Sequence, residues 1–203
     1  FQGLLEGNSI PIGTELAGLA RRGGSFLGTF RNRDIADGFG ADQVREAFQR
    51  CCVDGLIVLG GGGSLDMAAA LPEFGVRVIG VPCTVDNDVF GTDYSIGFDT
   101  AVSKSVRAAD EIMDTAESLS ERVFLIETLG GTSGHIALAT AYAVGADAVF
   151  VHEFPRDIES AAQRIGTRMD GGSTHGLVVL CENLGTAEIA QRFQEVTDRK
   201  SVV

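Results

Sequence analysis

The sequence has few basic residues: 16 Lys and Arg stand against 28 Asp and Glu, which gives a formal net charge of −12. Proteins that bind nucleic acids concentrate Lys and Arg on one face, and this sequence shows no such basic stripe. It also lacks a run of about 18 apolar residues, the length that a membrane-spanning helix requires. We therefore expect neither a nucleic acid nor a membrane as a partner.

Cysteine is scarce and glycine is abundant. The 4 cysteines, of which Cys51 and Cys52 are adjacent, form neither a CxxC zinc pattern nor a disulfide framework. This usage predicts a reducing, cytoplasmic setting. Glycine occupies 27 of 203 positions, which is roughly twice the average usage of about 7%. Such an excess indicates backbone that bends sharply or approaches a ligand closely.

The two ends of the sequence carry no targeting pattern. The start lacks an initiator Met, a charged segment and a cleavable apolar segment, so it is not a secretory signal. The last residues follow a charged turn and look like the beginning of another strand. We therefore interpret the sequence as the middle of a longer chain.

Apolar, β-branched runs without polar alternation predict buried strands, and helix-like stretches lie between them. The predicted strands are 53–59, 76–81, 123–126, 148–151 and 177–181, and the predicted helices are 41–52, 64–71, 100–118, 133–144, 158–169 and 186–196. This alternation predicts an α/β fold with parallel sheets and helices on both faces. The turn-rich passage 91–97 predicts an internal boundary between domains 1–97 and 98–203.

A glycine loop connects the first predicted strand to a predicted helix. The run 53–59 leads into Gly60, Gly61, Gly62, Gly63 and Ser64. Glycines let backbone N–H groups approach an anion, the helix dipole favours phosphate, and the serine is predicted to cap the helix. The loop lacks the Gly-Lys-Ser/Thr of a Walker A motif and also departs from Gly-x-Gly-x-x-Gly. We favour a phosphate-binding loop; a flexible linker or an ordinary tight turn is the alternative.

A loop rich in carboxylates follows the second predicted strand. Asp86 and Asp88 flank Asn87 at the carboxyl end of that strand, where open α/β sheets bind their ligands. A carboxylate at this edge can take a proton from a hydroxyl that attacks a phosphoryl group, or it can hold Mg²⁺. The alternative is an Asp-rich turn that caps its own backbone. Together with the glycine loop, the pair favours phosphoryl transfer.

Several motifs in this order resemble the 6-phosphofructokinase family. They are Gly-Gly-x-Gly-Ser after a strand, Pro-x-Thr-Val-Asp-Asn-Asp at 82–88, Gly-Thr-Asp-Tyr-Ser-Ile-Gly-Phe-Asp-Thr-Ala at 91–101, and the segment 122–134. The resemblance spans nearly the whole chain. It implies two Rossmann-like parts and a glycolytic kinase that transfers the γ-phosphoryl group of ATP to the 1-hydroxyl of fructose 6-phosphate, with Mg²⁺ as a cofactor.

The resemblance also implies roles at the sugar site. Asp86 matches the family's catalytic base, and Thr84 and Asp88 match neighbours that position the sugar and the transferring phosphate. Glu182 matches a ligand of a sugar hydroxyl. Arg122 matches an arginine that the family donates across a subunit interface to the sugar 6-phosphate, so a homo-oligomer, a dimer or a tetramer, is implied.

Further residues of the sugar site and of the ATP site follow from the same resemblance. The residues expected to contact the sugar phosphate also include Val85, Leu129, Gly130 and Gly131. Arg31 matches an arginine near the ATP phosphates. The nucleotide loop is matched by Gly61, Gly62, Gly63 and Ser64.

Two positions in the sequence indicate which phosphoryl donor is used. Enzymes of the pyrophosphate type are expected to have Asp at the position of Gly63 and Lys at the position of Cys83, and this sequence has neither. ATP is therefore the expected donor.

Two departures from the family pattern keep a second interpretation open. The usual Mg²⁺-binding Asp is replaced by Gly62, and Asp66 or Asp88 is the possible substitute. Gly131 stands where the catalytic pattern has Arg, as in the regulatory halves of animal and fungal relatives. The alternative function is therefore a weakened or non-catalytic regulator that binds sugar phosphate.

Overall fold

The computed structural model describes residues 2–26, 28 and 41–203, and it divides into two compact units. The first unit ends at Cys83, and the second runs from Thr84 to Val203. This division falls before the sequence boundary expected after Gly97, because the loop 84–97 folds onto the second unit. The assignment of a nucleotide role to 1–97 and a sugar role to 98–203 stays a prediction.

The first unit contains one pair of parallel strands with helices before and between them. Its elements are α1 Gln2–Glu6, a 3₁₀ helix at Thr14–Arg21, α2 Ala41–Cys51, β1 Gly55–Gly60, α3 Gly62–Ala70, a 3₁₀ helix at Leu71–Phe74 and β2 Arg77–Pro82. β1 and β2 pair in register from Gly55 opposite Arg77 to Gly60 opposite Pro82. The core of the unit is formed by Val44, Phe48, Leu71 and Val76.

The second unit is a parallel sheet in the order β4-β5-β3-β6, wrapped by helices. Its elements are α4 Phe98–Ser118, β3 Arg122–Thr128, α5 His135–Val144, β4 Ala148–Phe150, α6 Ile158–Asp170, β5 His175–Cys181, α7 Thr186–Thr197 and β6 Lys200–Val202. The central strands β3 and β5 run in register from Arg122 opposite His175 to Thr128 opposite Cys181.

The apolar runs of the central strands are explained by burial on both faces of this sheet. Phe124 and Leu177 pack with Ala116 of α4, whereas Val123 belongs to a second cluster that contains Ile165 of α6. Strands covered by helices on both faces need no polar alternation. The predicted α/β class with parallel sheets is confirmed, and helices cover both faces in this unit.

The predicted strands are all present, and their ends shift by a few residues. Residues Lys200–Val202, near the end of the sequence, form β6, as expected. One detail of the glycine loop is wrong: α3 begins at Gly62, its N-cap is Gly61, and Ser64 therefore lies in the first turn rather than at the cap. Gly61 has the extended dihedrals of a cap residue, and the glycines after it adopt helical ones.

The four cysteines are free thiols. Among the described residues, no helix has the length and apolar character needed to cross a membrane.

Substitution by alanine is expected to have opposite effects on stability at two glycines of the second unit. A Cβ at Gly176 in β5 would lie 2.5 Å from Cγ2 of Ile165, whereas a Cβ at Gly166 in α6 would meet only Thr197, at 3.6 Å. We expect Gly176→Ala to lower the free energy of unfolding by about 1 to 3 kcal/mol through overpacking. Gly166→Ala is expected to raise it by about 0.5 to 1 kcal/mol, because alanine is the better helix former.

Urea unfolding followed by circular dichroism measures both variants against the wild type. Equal stabilities of the two variants would contradict the close packing of β5 against α6.

Candidate functional site

The carboxyl edge of the second unit's sheet brings together the turn after β3 and the residue after β5. Because β3 and β5 end in register at Thr128 and Cys181, the segments that follow them start side by side. The Glu182 carboxylate oxygen Oε1 accepts the N–H groups of Gly130 at 3.0 Å and Gly131 at 2.6 Å. The backbone N–H of Glu182 donates to the Thr128 carbonyl at 2.9 Å. Glu182 thus fixes the shape of the turn.

This turn requires glycine at position 130. Gly130 has φ +147°, and a Cβ on it would lie 2.5 Å from the Ser133 carbonyl oxygen. Gly131 has φ +63°, but the space beside it is open. Leu129, just before the pair, is 68% exposed. The glycine excess of the sequence is therefore explained here by backbone geometry.

The other oxygen of Glu182 is free for a ligand. Within the part of the chain that the structure describes, Oε2 has no hydrogen-bond partner. The side chain is half-buried. When one oxygen of a carboxylate is held and the other is open, the open oxygen can accept a hydrogen bond from a hydroxyl group of a ligand.

The carboxylate-rich loop is held in shape by Asn87 and Ser95. The Asn87 side-chain oxygen accepts the Ser95 N–H at 2.8 Å and the Ser95 hydroxyl at 3.1 Å. The Asn87 amide group donates to the Asp93 carbonyl at 3.1 Å. Ser95 also lies 2.6 Å from the carbonyl of Thr84, at hydrogen-bond distance. The side chain that closes the loop is thus an Asn rather than an Asp.

The two aspartates of this loop are not used to hold its backbone. Thr84 accepts the N–H of Asp86 at 3.3 Å through its hydroxyl oxygen. In the described part of the chain, neither the Asp86 nor the Asp88 carboxylate accepts a hydrogen bond. Asp86 is half-buried, like Val85 before it, and Asp88 is exposed. These carboxylates are available for a ligand, which weakens the alternative of a self-capping turn.

The loop 84–97 is joined to the sheet edge through Ser133. The Ser133 hydroxyl donates to the Asp86 carbonyl at 2.7 Å. Ser133 follows the turn that Glu182 holds, so Asp86, Gly130, Gly131 and Glu182 belong to one hydrogen-bonded assembly. Sequence analysis placed these four at one site but missed Ser133, because the contact joins residues 47 positions apart.

A second carboxylate, Glu153, supports the same turn from the end of β4. Its Oε1 accepts the N–H of Gly134 at 2.7 Å. A Cβ on Gly134 would lie 2.4 Å from Cβ of Val151, so the backbone approaches this strand end closely. Burial opposes ionisation of Glu153, but the Gly134 N–H and the charges of His135 and His152 outweigh it, and the pKa lies below the ordinary value. Sequence analysis missed Glu153; the rule that ligands bind at the carboxyl ends of strands is the signal that could have indicated it.

Arg122 lies at the opposite edge of the same sheet. It is the first residue of β3, and Glu182 lies beside the strand's last residue, Thr128. Six residue steps at about 3.3 Å separate the two edges by about 20 Å. Within one chain, Arg122 therefore stands far from the Glu182 turn. Arg31, the other predicted arginine, lies outside the described residues.

The glycine loop of the first unit presents backbone N–H groups. α3 begins directly after Gly61, so Gly62 and Gly63 occupy its first turn, where N–H groups lack acceptors within the helix. A Cβ on either of these two glycines would meet nothing within 4 Å. Ser64 turns back against Gly60, where an added Cβ would lie 2.6 Å from the serine Cβ. These glycines leave the start of the helix accessible, which is the kind of helix start at which anions bind.

The described residues do not form a magnesium site of their own. Among residues 2–26, 28 and 41–203, no group of three or more His, Cys, Asp or Glu side chains is placed to hold a metal ion. Gly62 offers no ligand, and Asp66 is exposed on α3. Magnesium bound largely by substrate phosphates needs only one or two protein carboxylates.

Comparison with known proteins gives consistent results. A family model described as Phosphofructokinase matches residues 1–203. The ATP-dependent 6-phosphofructokinase of Oceanobacillus iheyensis is 37% identical over 206 residues, which cover 100% of this chain and 64% of that protein. Its namesake from Ligilactobacillus salivarius is 39% identical over 200 residues, which cover 98% and 62%. The chain thus spans less than two thirds of the length of these curated relatives.

Solved structures show the same fold. The phosphofructokinase of Saccharomyces cerevisiae matches with a TM-score of 0.80 and 25% identity, over 92% of this chain and 27% of that chain. The phosphofructokinase of Pichia pastoris in the T-state matches with a TM-score of 0.75 and 27% identity, over 87% and 20%.

The lowered pKa of Glu153 predicts a pH-dependent contribution to stability. A carboxyl group whose pKa is lower in the folded state stabilises the fold above the unfolded pKa, and this stability is lost as the pH falls through the folded pKa. We expect Glu153→Gln to reduce the free energy of unfolding at pH 7, and the difference from wild type to shrink as the pH falls below the ordinary value of 4.5.

Urea titrations between neutral and acidic pH measure this difference. Glu188→Gln, on the exposed first turn of α7, is the matched control. A Glu153→Gln difference that grows with acidity would contradict the assignment.

Proposed function

The chain belongs to the phosphofructokinase family, since the family model matches residues 1–203, and we propose that its protein transfers the γ-phosphoryl group of ATP to the 1-hydroxyl of fructose 6-phosphate. The observation that carries this proposal is the assembly at the carboxyl edge of the second unit. There the backbone carbonyl of Asp86, whose carboxylate has no partner among the described residues, is joined through Ser133 to the turn that Glu182 holds. This arrangement supplies both a base and a binding surface for a sugar hydroxyl.

Asp86 acts as the general base in this proposal. As the 1-hydroxyl oxygen attacks the γ-phosphorus, its proton passes to the Asp86 carboxylate, and the bond between the γ-phosphorus and the bridging oxygen breaks to release ADP. Thr84 and Asp88 position the sugar and the transferring phosphate on either side of the base. Two features support this role: Asp86 is half-buried, and its carboxylate has no partner among the described residues.

The sugar is bound by the turn after β3 and by the free oxygen of Glu182. Glu182 Oε2 accepts a sugar hydroxyl while Oε1 keeps Gly130 and Gly131 in place. Val85 and Leu129 border the sugar phosphate. The turn keeps its geometry with glycine at position 131. The absence of arginine there therefore removes a positive charge but leaves the backbone that contacts the sugar in place.

Arg122 binds the 6-phosphate of the sugar that occupies the site of a neighbouring subunit. A guanidinium suits this role because it binds phosphate with two hydrogen bonds and stays charged. The separation of about 20 Å along β3 supports it, since one chain cannot bring Arg122 to its own Glu182 turn. The proposal therefore includes a homo-oligomer, a dimer or a homotetramer, and a cytoplasmic location.

ATP is the proposed phosphoryl donor, and it is bound as its magnesium complex. The N–H groups of Gly61, Gly62 and Gly63 donate to the phosphates, and Arg31 pairs with them. The N–H of Ser64 donates to the Gly61 carbonyl at 3.1 Å, so Ser64 contacts the phosphates through its hydroxyl. Magnesium enters here as part of the substrate. Asp66 or Asp88 remains the proposed carboxylate that contacts it.

The regulatory alternative is not favoured. The curated relatives from Oceanobacillus iheyensis and Ligilactobacillus salivarius both carry the name of the ATP-dependent enzyme. The aspartates of the Asp-Asn-Asp loop are also retained with free carboxylates.

Replacement of the base tests the function. We expect Asp86→Asn in the full-length protein to lower kcat for fructose 6-phosphate by about 10²- to 10⁴-fold, because no other group takes the proton. Binding of fructose 6-phosphate in calorimetry should persist. Asp110→Asn, an equal change on the exposed surface of α4, is the control.

Turnover that survives Asp86→Asn would contradict the base assignment. Sugar-phosphate binding by the wild type without turnover from ATP or pyrophosphate would sink the enzyme function and restore the regulatory alternative.

The donor is tested at Gly63, where the open space admits a side chain. A carboxylate there would repel the phosphates of ATP, so we expect Gly63→Asp to raise the KM for ATP by tenfold or more, since about 1.4 kcal/mol of repulsion corresponds to that factor. Gly63→Asn has the same shape without the charge and should change the KM much less. Equal effects of the two variants in steady-state assays would rule out charge repulsion at this loop.

A further inference from the structure

Ser133 makes two short hydrogen-bond contacts through its hydroxyl at the centre of the candidate site, and the same oxygen accepts the His135 backbone N–H at 3.4 Å. Its hydroxyl oxygen lies 2.7 Å from the Asp86 carbonyl oxygen and 2.8 Å from Nδ1 of His135. The residue is 6% exposed, so water does not replace these partners. The function proposed above uses Ser133 only as a link between the loop and the turn, and it gives His135 no role.

The chemistry of the three groups fixes the direction of both hydrogen bonds. The Asp86 carbonyl can only accept, and the Ser133 hydroxyl has one proton to give. That proton lies between Ser133 and Asp86, because two oxygens at 2.7 Å without a proton between them would repel each other. Nδ1 of His135 must then donate to the Ser133 oxygen. Both the neutral Nδ1–H tautomer and the imidazolium supply that proton, whereas the neutral Nε2–H tautomer does not.

The two residues are held by the rigid part of the second unit. Gly134 lies between them and is pinned to the end of β4 by its hydrogen bond to Glu153 and by its close approach to Val151. The ring of His135 meets the ring of Phe98 edge-on, with centroids 6.4 Å apart and an interplanar angle of 82°. These contacts therefore fix the position of the Ser133 hydroxyl relative to the Asp86 carbonyl.

We infer that Ser133 is a positioning residue for phosphoryl transfer, which holds the backbone of Asp86 through a hydrogen-bond relay that starts at His135 Nδ1–H. This role rests on the proposed function, since it acts through the base. The loop's own hydrogen bonds, made by Asn87 and Ser95, fold the loop but do not tie it to the sheet edge. Ser133 supplies that tie, and it places the carboxylate relative to the sugar-binding turn.

The kinetic test removes the hydroxyl in the full-length protein. We expect Ser133→Ala to lower kcat by about 10- to 100-fold, the cost of a base displaced by about 1 Å. The KM for fructose 6-phosphate should change little, because Glu182 and its turn are untouched. Ser133→Thr keeps the hydroxyl and should restore most of kcat. Ser173→Ala is the matched control, since the Ser173 hydroxyl donates to the His175 carbonyl at the amino edge of the sheet.

The spectroscopic test needs no turnover. In ¹⁵N-histidine-labelled wild type at about pH 9, well above the ordinary histidine pKa of about 6.5, we expect the resonances of His135 to report the Nδ1–H tautomer. His135→Phe assigns them among the three histidines of the sequence. Ser133→Ala should release this tautomer preference.

The outcomes separate the relay from the proposed function. An active wild type whose kcat is unchanged by Ser133→Ala, or whose His135 carries its proton on Nε2, overturns the positioning role and leaves the function intact. A fall in kcat that Ser133→Thr does not restore also overturns it. A wild type without turnover overturns the proposed function, and the positioning role with it, even if the Nδ1–H tautomer shows that the hydrogen bond exists.

Discussion

The second unit's candidate site depends on the pair of hydrogen bonds that Glu182 accepts from the turn after β3. Parallel pairing of β3 and β5 brings the two strand ends level, and one carboxylate oxygen then holds the N–H groups of Gly130 and Gly131. With that turn fixed, Ser133 reaches the Asp86 carbonyl. The Asp86 loop, the free Oε2 of Glu182 and the glycine turn are thereby assembled at one edge of a single sheet.

The strands of the sheet, and several residues that follow them at its carboxyl edge, could be predicted from the sequence. Apolar runs without alternation predicted β3 and β5 as buried strands, and residues that follow such strands are expected at one edge. Asp86, Gly130, Gly131 and Glu182 were placed together in this way, through the motifs that resemble the family. The start of α3 was misplaced, because glycine is a poor helix former and its role in a first turn leaves no clear pattern.

The contacts that unify the site could not be predicted, because they join residues far apart in the chain. Ser133 and Asp86 are 47 positions apart, and Gly134 and Glu153 are 19 apart. Each contact depends on how the β4 end and the loop 84–97 dock on the sheet, and local propensity carries no information on that docking. His135 is the first residue of α5, and only the distance from its Nδ1 to the Ser133 hydroxyl points to a role for it.

The most direct test of this account is a crystal structure of the full-length protein with fructose 6-phosphate. The account predicts a sugar hydroxyl on Oε2 of Glu182, the 1-hydroxyl within hydrogen-bond distance of the Asp86 carboxylate, and the 6-phosphate on Arg122 of a neighbouring subunit. A sugar phosphate bound away from the turn 129–131, or one whose 1-hydroxyl points away from Asp86, would contradict it.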